Sequence, residues 1–234
     1  YFDYFLNIES YLFTLVISIL LGSGFYFFGK KSNKKIDFID QLILIIFVYL
    51  IVGLLISTPF YLSNSKVTFM SAYFESISGL TGTGFSTFDN IKYLDPTLIL
   101  WRSSSQWIGG LYFLSFLVLI FSNKSFNYKM TNLTYTGENI IQSNQNIKDN
   151  ILKIFIYYSI LSFIFLVLLN ISGIRLFNSL NLTMTLVSGG GFLPSNSLSE
   201  VIFTNFQKLV LIFALIISML NFYLLFNLFS KKTL

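Results

Sequence analysis

The sequence predicts an all-α integral membrane protein. It reads as two tandem, parallel units of helix, re-entrant helix with loop, and helix, preceded by one extra transmembrane helix. Three observations carry this reading. The 234-residue chain is 54% hydrophobic and only 11% charged, with a mean hydropathy of +0.72, whereas a soluble chain carries roughly 25% charged residues. Five apolar runs, 11–29, 41–62, 98–122, 151–172 and 206–229, are each long enough to cross about 30 Å of hydrocarbon at about 1.5 Å per residue. A shift of 107 residues lays Phe69–Phe85 on Leu176–Phe192, the run 41–62 on 148–169, and Thr97 on Thr204.

The elements follow in order. The first run has no basic segment before it and the chain starts at Tyr1, so it reads as a membrane span, not a signal peptide. The chain is expected to be a piece of a longer protein or a processed one. Residues 1–36 form this preceding helix and a basic loop. The first unit covers 37–123, a polar connection 124–149, and the second unit 150–234. Between the two spans of each unit lie 68–91 and 175–198, too polar and too rich in glycine to span.

Orientation comes from the lysines. Lys30, Lys31, Lys34, Lys35, Lys124, Lys129, Lys148, Lys153, Lys231 and Lys232 fall on one side if both glycine-rich segments enter and leave on the same side. The positive-inside rule makes that side cytoplasmic, so the segments dip in from outside. Both copies enter from the same face, which makes the repeat parallel, not inverted. The net charge of +5 is thus a topology signal in a multi-pass protein surrounded by membrane lipid, and not a nucleic-acid surface. With no Cys and no His, thiol chemistry, zinc-thiolate sites and histidine acid/base catalysis are excluded. The 28 Phe and 14 Tyr suit lipid-facing surfaces and interfacial belts.

The glycine-rich segments carry the chemistry. Backbone cannot lie bare in hydrocarbon; irregular chain at that depth must line a cavity. Thr68–Gly79 has helical character for three turns and is expected to break at Gly79. A helix entering from outside points its partly negative C-terminus at the membrane midplane, where it favours a cation. Thr81, Gly82, Thr83 and Gly84 can then run extended, with glycine permitting the positive φ that aims successive carbonyls one way. Ser188, Gly189, Gly190 and Gly191 take the same place in the second unit. Carbonyl rings of this kind replace the hydration shell of a monovalent cation, and neither stretch holds a carboxylate to demand a divalent one. The competing reading is a pair of small-residue helix-packing kinks.

These residues resemble a family. Glu75-Ser-Ile-Ser-Gly-Leu-Thr-Gly-Thr-Gly-Phe-Ser-Thr-Phe-Asp89, Leu100-Trp-Arg-Ser-Ser-Ser-Gln-Trp-Ile-Gly-Gly110 and Ser188-Gly-Gly-Gly-Phe192 are similar to segments of the TrkH/KtrB/HKT superfamily of potassium, and in some members sodium, transporters. The similarity covers nearly the whole chain. It implies four potassium-channel-like M1–P–M2 units around one pore, each supplying one filter layer. This chain then corresponds to the N-terminal half, without the third and fourth units and their intramembrane gating loop. Gly84 and Gly191 match the filter glycines, with K+ at the filter carbonyls. Glycine there goes with potassium selectivity in the family, and serine in the first loop with sodium. Two departures are Gly82, where threonine is common, and the all-glycine second loop. The resemblance also implies a homodimer and a cytoplasmic nucleotide-binding regulatory subunit, and uptake of K+ through the inner membrane, with Na+ or H+ coupling open. No resident cofactor and no enzymatic step are expected. A sodium-permeable transporter of the same fold and a non-conducting membrane scaffold remain as alternatives.

Several polar residues flank the loops. Glu75 and Arg102 either brace the first loop as a pair or sit separately at the wet outer interface, since an unpaired charge at membrane depth is costly. Asp89 and Asn90 either line the outer mouth, concentrating cations, or simply form a turn. Gly109 and Gly110 permit close helix approach or act as a hinge, and close approach is preferred. Trp101 and Trp107 are interfacial and packing aromatics. The segment 130–147 is a linker or a contact for a regulatory subunit.

Overall fold

The computed structural model describes residues 8–32, 38–63, 67–121 and 147–219. Seven α-helices run through these residues: α1 (Ile8–Gly29), α2 (Phe38–Leu62), α3 (Phe69–Leu80), α4 (Pro96–Phe121), α5 (Ile147–Ile171), α6 (Leu176–Ser188) and α7 (Asn205–Met219). Short 3-10 turns at Ile91–Tyr93 and Leu198–Glu200 precede α4 and α7. Four helices, α1, α2, α4 and α5, are long and apolar enough to cross a membrane. The fifth expected span, 206–229, appears as the apolar helix α7 up to Met219; the rest of it lies outside the described residues, as does the connection up to residue 146.

Local chemistry explains the helix ends. Thr68 caps α3 by accepting a hydrogen bond from the Ser71 N–H at 3.3 Å, which satisfies one of the free donors of a first turn. α6 closes in a Schellman motif. Gly189 adopts φ +71°; its N–H donates to the Leu186 carbonyl at 3.1 Å, and the Gly190 N–H to the Thr185 carbonyl at 2.8 Å. Inside α2, Pro59 leaves the Leu55 carbonyl without its usual donor. The Thr58 hydroxyl donates to that carbonyl at 2.7 Å, the kind of side-chain repair a membrane helix needs. Thr58 also meets Thr14 of α1 by hydrogen bond.

The architecture is two copies of one motif. In each, a short helix packs on two flanking helices: α3 on α2 and α4, and α6 on α5 and α7. α4 belongs to both, because it packs on α3 and on α6. Two cores result. One gathers Ile56, Phe60, Ala72, Leu80 and Leu98, with Trp101 at its edge. The other gathers Tyr158, Phe165, Leu182, Leu186 and Ala214, with Trp107 at its edge. Both tryptophans are packing residues. Trp101 Nε1 donates to the Ile56 carbonyl at 3.0 Å, and Trp107 Nε1 to the Ser162 hydroxyl at 2.9 Å.

Polarity runs outside-in. Leu, Ile and Phe side chains of α1, α2 and α5 are exposed, whereas Glu75, Arg102, Gln106, Ser103 and Asn181 are buried. This is the arrangement of a protein whose solvent is lipid, with its charges paired inside the bundle.

Candidate functional site

The two glycine-rich loops leave the C-terminal ends of α3 and α6 and meet. A Cβ built on Gly84 would lie 2.8 Å from both N and Cα of Gly191. Residues 107 positions apart in sequence are therefore touching neighbours. Both helix C-termini, with their partial negative charge, face the start of these loops. There a cavity of about 200 Å3 is lined by Thr81, Gly82, Ser188 and Gly189, with Gly109 and Gly110 of α4 behind them.

The first loop differs in detail from the sequence expectation. α3 does not break at Gly79 but continues to Leu80, with Thr81 as a right-handed C-cap. Gly79 is required for another reason: a Cβ there would collide with the Ser105 hydroxyl of α4. The chain then turns through Gly82 at φ +70° and Gly84 at φ +77°, conformations open to glycine and strained for other residues. It is thus not plainly extended. The Thr81 hydroxyl donates back to the Ile77 carbonyl at 2.8 Å and lies 2.7 Å from the Thr83 hydroxyl. The Ser78 hydroxyl holds the far end of the loop by donating to the Phe85 carbonyl at 2.6 Å.

In the second loop only Gly189 has a positive φ. Gly190 leaves space for the Gln106 side-chain amide, which fills its Cβ position. A Cβ on Gly191 would reach only ordinary contact distance, 3.7 Å from Gly84 Cα. The three glycines that looked alike in sequence thus answer to different constraints.

Glu75 and Arg102 come together, with the two side chains 0% and 1% exposed. Arg102 Nε donates to Glu75 Oε1 at 2.6 Å. The carboxylate also accepts from the Ser86 hydroxyl at 3.0 and 3.1 Å and from the Thr87 N–H at 3.0 Å. Arg102 Nη1 reaches across to the Leu193 carbonyl at 3.3 Å, and its guanidinium lies 4.2 Å from the Phe192 ring centre. One buried ion pair therefore touches the chain that follows both loops. The reading in which the two charges sit apart at a wet surface does not describe this structure.

Outside this pair, Asp89 is exposed at a bend. Asn90 instead joins the two units. Asn196 Nδ2 donates to Asn90 Oδ1 at 3.2 Å, and the Ile91 N–H donates to Asn196 Oδ1 at 2.7 Å. Gly109 and Gly110 serve close approach: a Cβ on Gly109 would strike the Leu80 carbonyl, and one on Gly110 would lie 2.7 Å from the Tyr158 hydroxyl.

Three contributors had no assigned role in the sequence reading: Gln106, Ser78 and Asn196. Gln106 was the detectable one, since a fully polar amide inside a membrane helix is a functional signal by itself. Asn196 lay 106 residues from Asn90, one short of the repeat, which hid the match.

Comparisons with known proteins bear on the family and the fold. The TrkH family, described as "Cation transport protein", matches residues 8–234. An uncharacterised cation transporter of Methanocaldococcus jannaschii is 30% identical over 210 residues, covering 87% of this chain and 43% of that protein. The Trk system potassium uptake protein TrkG of Escherichia coli is 27% identical over 234 residues, covering 94% of this chain and 46% of that one. The crystal structure of the potassium transporter TrkH from Vibrio parahaemolyticus shares the fold, with a TM-score of 0.74 at 21% identity over 96% of this chain and 45% of that chain. The chain spans less than half the length of these relatives.

Proposed function

The chain belongs to the TrkH family of cation transport proteins, and from that membership we propose that it supplies two filter layers of a potassium uptake pore in the cytoplasmic membrane. The family is one of transporters, not enzymes. The observation that carries the proposal is the meeting of Gly84 and Gly191, at equivalent repeat positions, beyond two helix C-termini that favour a cation. Carbonyls of Thr81 to Gly84 and of Ser188 to Gly191 then replace the water of a dehydrating K+. Glu75 and Arg102 hold the chain behind both layers in place, and Asp89 adds negative potential at the outer mouth.

The potassium in the name of the E. coli relative supports the choice of ion. The rest of the ring comes from chain beyond these two units. A homodimeric assembly with a cytoplasmic nucleotide-binding regulatory subunit, and coupling to Na+ or H+, belong to the same proposal. Rubidium uptake by the full-length protein in a potassium-transport-deficient strain, with Na+ as competitor, tests it. Uptake that Na+ does not suppress is expected. Equal permeation of Na+ and K+ would replace the potassium reading with the sodium-permeable one, and no flux at all would favour a scaffold.

A further inference from the structure

We infer that Gln106, a side chain of the first unit, is the positioning residue that sets ion selectivity at the second unit's filter layer. This rests on the filter reading above and deepens it. Gln106 is 0% exposed and sits on α4 one helical turn beyond Arg102. Its Oε1 accepts the Phe192 N–H at 3.2 Å. A trans peptide is planar, with N–H and C=O pointing opposite ways, and the chain contains no cis bond among the described residues. Holding the Phe192 N–H toward α4 therefore turns the Gly191 carbonyl away from α4. The same amide occupies the Cβ position of Gly190, so the loop lies directly against Gln106, and a side chain at position 190 would displace the amide. One amide thus controls both the tilt of the Gly191–Phe192 peptide and the depth of Gly190.

The device is not repeated. Positions 182, 209 and 213, the repeat equivalents of Glu75, Arg102 and Gln106, are Leu182, Leu209 and Phe213. Phe213 is 55% exposed on α7. Correspondingly Phe192 is 1% exposed beneath Arg102, whereas its counterpart Phe85 is 69% exposed. The second layer is therefore oriented by the first unit, and at the 107-residue shift the described residues of the second unit carry apolar side chains in these places.

The test uses the full-length protein and compares rubidium uptake with Na+ competition for wild type, Gln106→Leu and Gln106→Glu. Gln106→Leu removes the acceptor and leaves a buried N–H unpaired, which is expected to lower K+ over Na+ selectivity about tenfold (about 1.4 kcal/mol). Gln106→Glu keeps an acceptor oxygen in its neutral, protonated form, the form that burial without a paired cation favours, and is expected to retain selectivity. A Gln106→Leu variant that transports less but keeps the wild-type K+ to Na+ ratio would overturn the inference, because a merely structural residue lowers the amount of working protein and not its choice of ion. If Gln106→Leu does not accumulate, the shorter amide of Gln106→Asn takes its place, and the purified variant is melted in K+ against Na+. Loss of the K+-specific stabilisation supports the inference, and its retention overturns it. Absence of flux in wild type would be a failure of the transport reading, visible before any variant is compared.

Discussion

Arg102 Nε lies 2.6 Å from Glu75 Oε1, and neither side chain is open to its surroundings. The pair joins the re-entrant helix α3 to the long helix α4. Through Ser86, Thr87 and Leu193 it also ties down the chain after both loops. Its value lies in what breaking it would expose.

Glu75→Gln and Arg102→Met each leave a buried group without its opposite charge. Losing one partner of a buried pair costs about 3–5 kcal/mol, whereas replacing both by apolar residues is far milder. Each single variant is expected to lower the melting temperature of detergent-purified protein sharply, and Glu75→Leu combined with Arg102→Met to recover much of the loss. Additive effects in the double variant would show that the two residues act independently.

Gly84→Ser tests the first loop. At φ +77° an L-residue is strained by about 1–2 kcal/mol, and the new Cβ would press on the backbone of Gly191. Selectivity for K+ over Na+ is expected to fall in competition uptake. Gly191→Ala has ordinary contact space and is expected to change the ratio much less. Equal effects from both would separate selectivity from the crowding between the loops.

Gly109→Ala puts a methyl group into the Leu80 carbonyl at the end of α3. Overpacking of this kind costs about 1–3 kcal/mol or more, and here it pushes α4 off the start of the first loop. Gly22→Ala on α1 is the matched control, since nothing lies within 4 Å of its Cβ position. The first is expected to cut folded yield in size-exclusion profiles and the second to leave it unchanged.

Asn196→Ala deletes the hydrogen bonds to Asn90 and to the Ile91 N–H. Both are exposed, so the expected loss is small, about 0.5–1.5 kcal/mol per hydrogen bond at most. Thermal melting should shift by a few degrees without changing ion preference. A change in preference would move this outer link into the ion-selecting machinery.

Much of the fold was legible in the linear chain. Apolar run length sets which helices can span, because lipid leaves backbone groups no partner but their own helix. The repeat offset pairs Gly84 with Gly191, and the clustered glycines mark both loops. Glu75 and Arg102 stood out as charges in apolar surroundings, so their pairing could be posed as a question.

What the sequence by itself determined is therefore the element order, the repeat and the place of the loops, all of which follow from local periodicity and solvent. Only the tertiary structure decided what each small or polar residue is for. Gly79 answers to Ser105, Gly109 to Leu80 and Gly190 to Gln106, and each is a contact between elements distant along the chain. A glycine reads the same in sequence whether it turns the backbone or makes room for a neighbour, and only the position of that neighbour separates the two. The same holds for α4: its Arg102 and Gln106 face a loop about 90 residues away, a distance over which no local pattern carries information.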